Sequence, residues 1–443
     1  MDFLTGGIFC IILLVALMGV GLQIGLAFLL SGFITSVLLM GMSGTLSLLG
    51  QSSYFSVASP TWACIPLFIL MGAFAASGGY AERAYRSVYA LSRGVPGSLA
   101  VATCFGCALF GAISGSSIAT TAIFGKMALP EMRRLGYDKT LSSACIASAG
   151  TFASMIPPSM MMIIYALFTQ QSVGKLFAAG IIPGIITAIV YSMSIIYRVK
   201  KNPKLAPPPP ASEKAVGSRE KWMEAWQAWP VLVIALIVLG GIYSGVFTPT
   251  EAAAAGALVT LVFGWQQGSL RKMSLVSDAM KESASTTAML FLINIGALFY
   301  SRVLAVTRLP TEITVYLIDA DVSRLTILMG IILIMFILGM IMVPVGIYAL
   351  TLPIVFPMLV KLGYDPIWFG VIALKMTEIG AVTPPVGLNV FAMKGVIPRE
   401  YNVTLEDIYR GVWPFVICDL VVLVMLIIFP EIATWLPELL LGK

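Results

Sequence analysis

The stretch Leu135-Gly-Tyr-Asp138 recurs as Leu362-Gly-Tyr-Asp365, 227 residues further along the chain. The same offset relates Pro157-Pro158 to Pro384-Pro385. Two such features at one spacing are improbable as a coincidence, so we predict that the chain contains a duplicated unit. Internal repeats that carry paired, proline-interrupted hydrophobic segments are typical of secondary transporters, which bind their substrates at such breaks.

The composition predicts a membrane protein. Hydrophobic residues make up 59% of the 443 residues and charged residues only 11%, which indicates a polytopic protein in a lipid bilayer. The net charge of +6 does not indicate nucleic-acid binding, because the basic residues lie in loops between apolar segments. The absence of histidine removes the commonest metal ligand and the usual general base.

Ten apolar segments are long enough to cross a bilayer, which takes about 20 residues. They lie near 3–20, 22–42, 60–80, 141–169, 177–198, 229–247, 250–266, 285–304, 367–393 and 411–430. The segments 97–130 and 324–360 are also apolar but carry Gly and Pro in the middle. We predict that each forms a re-entrant hairpin whose tip is shielded by protein or water.

The distribution of Lys and Arg among the loops predicts the orientation of the chain in the membrane. The loops on one side hold 19 of the 27 basic residues, and the positive-inside rule makes these loops cytoplasmic. They are 81–97, 131–140, 198–228, 266–284 and 394–410. The first repeat crosses the membrane five times, and an odd number of crossings gives the second repeat the opposite orientation. The predicted fold is therefore an all-α polytopic membrane protein, an inverted-topology repeat with two re-entrant hairpins and two broken helices.

The repeat divides the chain into six predicted parts. Each half has scaffold spans with an interfacial arm, followed by a transport domain with a hairpin, a broken span and a last span. The parts are scaffold 1 at 1–96, transport domain 1 at 97–198, a proline-rich cytoplasmic linker at 199–228, scaffold 2 at 229–323, transport domain 2 at 324–432 and a C-terminal tail at 433–443.

The centre of the first hairpin is rich in small polar residues. Gly111-Ala-Ile-Ser-Gly-Ser-Ser117-Ile-Ala-Thr-Thr121 has three Ser, two Gly and two Thr in an otherwise apolar segment. One interpretation is helix–helix packing through small residues. The other is a helix break, whose N–H groups and hydroxyls would bind an anion and whose carbonyls would bind a hard cation such as Na⁺.

The two Pro-Pro pairs predict unwound helices, since one proline inside a helix already costs about 3 kcal/mol. Pro157-Pro158 and Pro384-Pro385 are therefore the predicted helix breaks. Glu378 lies just before the second break, and an ionised acid at mid-membrane costs about 2.5–3.5 kcal/mol on insertion scales. Three roles stay open for it: capping of the broken helix, ion or proton coupling, and an ion pair with Lys375 on the same helical face.

Four motifs, in this order along the chain, resemble the large membrane subunit of tripartite ATP-independent periplasmic (TRAP) transporters. They are Gly111-Ala-Ile-Ser-Gly-Ser-Ser117-Ile-Ala-Thr120, Ile156-Pro-Pro-Ser159, Phe247-Thr-Pro-Thr-Glu-Ala-Ala-Ala253 and Glu378-Ile-Gly-Ala-Val-Thr-Pro-Pro-Val-Gly387-Leu-Asn. The likeness covers essentially the whole chain. It implies an elevator-type secondary transporter in the bacterial inner membrane that is driven by a Na⁺ gradient. It also implies two partners, a small membrane subunit of about four spans and a periplasmic binding protein.

The resemblance also implies site residues. One Na⁺ would lie at the first tip and break, and a second Na⁺ at the second tip and break, with the substrate between the two tips. The first Na⁺ site comprises Ser114, Ser117, Ala153, Ile156 and Pro158, and the second comprises Gly339, Gly380, Thr383 and Val386. The substrate residues are Ser114, Gly115, Ser116, Thr151, Ser159, Val343, Pro344 and Asn389. Val343 stands where many members carry an acid, so we expect no ion coupling through a carboxylate at that tip.

The favoured function is uptake of a small organic anion, a carboxylate or related acid, because the tips offer helix N-termini, hydroxyls and no obvious acid. As the resemblance implies, this uptake would be coupled to Na⁺, use an elevator mechanism and depend on delivery by a periplasmic binding protein. The close alternative is a self-sufficient anion:Na⁺ symporter of similar architecture that needs no binding protein. A more distant alternative is an intramembrane enzyme, which the lack of histidine and of paired catalytic carboxylates disfavours. We therefore expect a transporter subunit whose coupling ion is Na⁺ and which needs no organic cofactor.

Overall fold

The computed structural model describes residues 2–58, 60–208 and 217–442, and this part of the chain is entirely helical apart from loops. Residues 209–216 of the predicted linker lie outside the described residues. Within these described ranges, six helices are long and apolar enough to cross a membrane, or up to eight if each of two bent helix pairs counts as one span. The predicted all-α polytopic fold is confirmed.

The helices of the first half are α1 (Phe3–Gly19), α2 (Ile24–Ala58), α3 (Cys64–Ser77), α4 (Tyr80–Ser92), α5 (Ser98–Ser114), α6 (Ser117–Arg134), α7 (Lys139–Ala149), α8 (Phe152–Met155), α9 (Met160–Thr169) and α10 (Val173–Lys201). A linker helix, α11 (Ser218–Ala225), precedes the second half. The helices of the second half are α12 (Trp229–Tyr243), α13 (Pro249–Gln266), α14 (Met273–Thr307), α15 (Leu309–Asp319), α16 (Arg324–Gly339), α17 (Pro344–Lys361), α18 (Pro366–Val382), α19 (Leu388–Val396), α20 (Leu405–Ile428) and α21 (Glu431–Leu441).

The offset of 227 residues extends from the sequence motifs to the helices. Both ends of α6, at Ser117 and Arg134, correspond under this offset to the ends of α17, at Pro344 and Lys361. α10 and α20 likewise end at equivalent positions. The correspondence across the described helices confirms the predicted duplication.

Each predicted hairpin is a pair of helices with a short break. Gly115 and Ser116 join α5 to α6, and residues 340–343 join α16 to α17. α4 lies in the predicted arm of the first scaffold and turns by 66° from the direction of the α3 segment. Arg93 and Glu224, whose side chains approach to 2.5 Å, connect this arm region to α11.

Two elements differ from the prediction. The second span was expected at 22–42, but α2 continues to Ala58 past a kink at Gly41, where φ is 74°. Residues 433–443 were expected to form a tail, but most of them belong to α21, which packs on α10. Apolar side chains at Ile432 and Ala433 on this short helix account for its docking, because they lie on or within the protein core.

A buried ion pair within the second repeat is hydrogen-bonded to α10 of the first repeat. The Lys375 ammonium on α18 lies 2.6 Å from Asp419 Oδ1 on α20, and both side chains are almost fully buried. Tyr191 on α10 donates a hydrogen bond to Asp419 Oδ2 at 2.6 Å, and Lys375 donates one to Thr187 Oγ1 at 3.0 Å. Lys375 thus pairs with Asp419, and the ion pair with Lys375 that was one of three possible roles for Glu378 does not form.

The ion pair gives a stability prediction. Asp419→Asn keeps the shape of the side chain but leaves Lys375 as an unpaired buried charge, which costs about 3–5 kcal/mol. We expect the free energy of unfolding in detergent to fall by about that amount. The matched control is Glu406→Gln on the same helix, which breaks the exposed pair with Arg410 and should cost less than about 1 kcal/mol. Equal effects of the two substitutions would contradict a stabilising role for the buried pair.

The inverted repeat gives a topology prediction. Arg134 and Lys361 are exposed and occupy equivalent positions at the ends of α6 and α17. We expect a membrane-impermeant maleimide to label Arg134→Cys from the cytoplasmic side and Lys361→Cys from the periplasmic side. All six native cysteines are buried, so the unmodified chain serves as the low-labelling control. Labelling of both positions from one side would refute the inversion.

Candidate functional site

The first tip is a helix break in which polar side chains cap the new helix. α5 ends at Ser114, Gly115 adopts a left-handed conformation with φ of 63°, and Ser116 caps the N-terminus of α6 by accepting a hydrogen bond from the Ala119 N–H. Only glycine adopts this φ without strain. The hydroxyls of Ser114 and Thr120 share a hydrogen bond of 2.9 Å. The small residues of this segment therefore form a break, although they also permit close packing.

The first tip lies directly against the first Pro-Pro break. The Met160 N–H donates to the Gly115 carbonyl at 3.4 Å, and a Cβ built on Gly115 would lie 2.8 Å from the Pro158 carbonyl oxygen. A Cβ on Gly111 would lie 2.6 Å from Ala153 Cα. The structure thus brings the predicted first Na⁺ residues of the hairpin next to Ala153 and Pro158, with Ile156 between them in the break.

The second tip and the second break meet in the same way. A Cβ built on Gly380 would lie 2.4 Å from the Gly339 carbonyl carbon, so the two backbones are in direct contact. The N–H groups of Val386 and Gly387 both donate to the Met340 carbonyl at 3.3 Å. The Thr383 hydroxyl donates to the Ile379 carbonyl at 2.6 Å. Its oxygen lone pairs therefore stay available to a cation. The predicted second Na⁺ residues lie together.

The donor sets of the two sites suit Na⁺. Each combines hydroxyl oxygens with backbone carbonyls exposed by a helix break, and hard cations take oxygen ligands. The first region also contains a buried hydroxyl, that of Thr121, without a hydrogen-bond partner. The residues present therefore fit a small hard cation at both breaks.

The predicted substrate residues do not form one group. The Ser159 hydroxyl caps α9 by accepting from the Met162 N–H at 3.3 Å, and it is fully buried. The Thr151 hydroxyl donates to the Ser148 carbonyl at 2.7 Å. Asn389 is buried and donates to the Ala147 carbonyl at 3.4 Å. These three side chains are engaged inside the protein, where they shape the breaks.

A cavity of about 340 Å³ lies beside the first tip, between the hairpin and the scaffold. Ser114, Ser116 and Lys126 line it from the hairpin, and Glu282 and Thr286 line it from α14. Val343 and Pro344 of the second tip, which were also predicted to contact substrate, are not among its lining residues. Sequence reasoning assigned no role to Lys126, although a lysine inside an apolar segment is a signal of function.

Glu378 lies deeper, at the boundary between the two repeats. Its side chain is 3% exposed, and neither carboxylate oxygen has a hydrogen-bond partner. The hydroxyls of Ser117 at the first tip and Ser154 at the first break lie beside this carboxylate. The acid of the second repeat therefore lies beside residues of the predicted first Na⁺ site, which the sequence did not indicate.

Comparison with known proteins agrees with this architecture. Residues 11–432 match the family model described as the DctM component of tripartite ATP-independent periplasmic transporters. The C4-dicarboxylate TRAP transporter large permease protein DctM of Pseudomonas aeruginosa is 36% identical over 409 residues, which cover 90% of this chain and 93% of that protein. The ectoine/5-hydroxyectoine large permease UehC of Ruegeria pomeroyi is 32% identical and covers 98% of this chain and 99% of its own.

Among solved structures, the YdaH transporter of Alcanivorax borkumensis superposes with a TM-score of 0.65 at 15% identity, over 90% of each chain. This likeness concerns the fold alone. The family match is far more specific, because it extends over nearly the whole chain. This chain is therefore a transporter subunit rather than an enzyme: it belongs to the large-permease (DctM) family of tripartite ATP-independent periplasmic transporters, multi-pass proteins of the bacterial inner membrane.

Proposed function

We propose that this chain carries out Na⁺-coupled uptake of a small organic anion. The observation that supports the proposal most directly is the convergence of each hairpin tip on a proline break, which the fold builds once in each half. Each convergence offers oxygen ligands to a cation. The first also opens onto a cavity that contains a lysine.

The cavity is the proposed substrate entrance. Ser114 and Ser116 offer hydrogen bonds to a carboxylate, and the N-terminus of α6 directs its N–H groups toward an anion at the tip. Lys126 is exposed on the same helix and adds a positive charge. An acidic residue, Glu282, lines the opposite wall and would disfavour anions of higher charge.

The proposed motion is of the elevator type. The transport domain has a rigid core, because a buried ion pair and its hydrogen bonds tie α18 and α20 to α10. The cavity, in contrast, lies between α6 of this domain and the scaffold helices α3 and α14. A rigid body that moves against a separate scaffold would carry the bound ions and substrate across the membrane.

Two partner proteins complete the proposed system. The scaffold helices α1 and α2 carry large apolar side chains on their exposed faces, at Ile12, Val15, Leu38 and Leu46 among others. These faces suit lipid or a second membrane subunit, which would widen the scaffold. A periplasmic binding protein would deliver the anion to the outward-facing tips, in keeping with the tripartite family to which the chain belongs.

Reconstitution tests the proposed function. In liposomes with an inward Na⁺ gradient, we expect this chain alone to take up little free anion, because delivery requires the other two components. Addition of the small subunit and the loaded binding protein should restore uptake, and replacement of Na⁺ by K⁺ should abolish it. Full uptake by the lone chain would instead establish the self-sufficient symporter.

A charge series tests the cavity. Lys126→Gln should raise the KM for a dicarboxylate about tenfold, since a charge-assisted hydrogen bond contributes about 1.5–3 kcal/mol. Glu282→Gln removes the acid of the same cavity and should shift the KM in the opposite direction. Arg134→Gln is the matched control, because Arg134 is an exposed base on the same helix that lines a different cavity. An unchanged KM in the Lys126 variant would exclude this lysine from the substrate path.

A further inference from the structure

The carboxylate of Glu378 has no counter-charge of its own. The other charged groups near it are Lys375 and Asp419, and these two pair with each other at 2.6 Å. Within the described part of the chain, no hydrogen bond of good geometry reaches either carboxylate oxygen of Glu378, although the hydroxyls of Ser117 and Ser154 lie close. A carboxylate buried without a partner costs several kcal/mol unless a proton or a metal cation neutralises it, so this position calls for a positive occupant.

A capping role does not account for this placement. Glu378 lies in the last turns of α18, which continues only to Val382. The end of a helix presents carbonyl oxygens and the negative pole of its dipole, and both disfavour a carboxylate. The N-terminus of α9, at the first break, is already capped by Ser159.

The surroundings of Glu378 are instead those of the first cation site. The Ser117 hydroxyl belongs to the first tip and the Ser154 hydroxyl to the first break, and both lie beside the carboxylate. Close to the same serine, a Cβ built on Gly150 would lie 3.1 Å from the Ser117 carbonyl oxygen and 1.9 Å from the unpartnered Thr121 hydroxyl. Hydroxyl groups from two helices, α6 and α8, therefore lie beside the carboxylate, and further oxygen atoms of α6 lie against the first break at Gly150.

We propose that Glu378 supplies the negative charge for the Na⁺ bound at the first tip. The hydroxyls and carbonyls of the first repeat hold the ion, and the carboxylate of the second repeat neutralises it. The inference rests on the proposed Na⁺ coupling and adds a residue from the opposite repeat to the first site. It implies that binding of this ion joins the two repeats within the transport domain.

The test uses Na⁺-dependent thermal stabilisation of the full chain in detergent, with KCl replacing NaCl at constant ionic strength. Glu378→Gln should raise the half-saturating Na⁺ concentration about tenfold or more, because a neutral amide keeps the shape but not the charge. Ser117→Ala marks the first site and Thr383→Ala the second. In the double variant of Glu378→Gln with Ser117→Ala, the two increases in half-saturating Na⁺ concentration should be non-additive. In the double variant of Glu378→Gln with Thr383→Ala, the two fold-changes should multiply, since only contacting groups couple.

The outcomes separate the inference from the proposed function. An unchanged Na⁺ dependence of Glu378→Gln overturns the inference, and so does coupling to Thr383→Ala in place of Ser117→Ala. Absence of any Na⁺-specific stabilisation in the unmodified chain overturns the proposed coupling itself. If the Gln variant does not fold, Glu378→Asp provides the test, because its shorter side chain withdraws the carboxylate from the ion. Weaker Na⁺ binding would then support the role of Glu378. An unchanged Na⁺ dependence of the thermal stability would refute it.

Discussion

The requirement that buried backbone groups be hydrogen-bonded governs this structure. In a bilayer no water satisfies an interrupted helix, so a break survives only where other protein groups cover it. The Pro-Pro pairs create two such breaks, and the hairpin tips cover them. The Met160 N–H donates to the Gly115 carbonyl, and the Val386 and Gly387 N–H groups donate to the Met340 carbonyl. Each hairpin is therefore required by the break it faces.

The same constraint determines where possible ligand atoms lie. A covered break still leaves carbonyl oxygens with free lone pairs, and these become ligands when hydroxyls are added around them. Glycine at Gly339 and Gly380 lets two backbones approach so closely that no side chain fits between them. The proposed cation sites would thus follow from the covering of the breaks, with a few serines and threonines adding hydroxyl ligands.

Much of the architecture was predictable from the sequence because its signals are local. Prolines and glycines mark the breaks, apolar length marks the spans, and the offset of Leu135–Asp138 and Leu362–Asp365 reveals the repeat. The partners of buried charges were not predictable. Lys375 could face Glu378 by helical spacing, yet the fold supplies Asp419 from another helix. The contacts of Glu378 and the cavity position of Lys126 depend likewise on packing between distant segments, which spacing along one helix cannot indicate.

The constant offset has a consequence for the lengths that the chain can tolerate. A residue inserted into α6 would rotate everything beyond it by about 100° and would turn the following break away from the tip that covers it. Insertions between Ser98 and Lys201, or between Arg324 and Ile428, are therefore confined to the few loop positions outside these helices. No repeated motif falls between α10 and α11, so the offset sets no length there. Insertions and deletions during evolution are consequently expected between the two halves and at the chain ends, while the number of residues within each half stays constant.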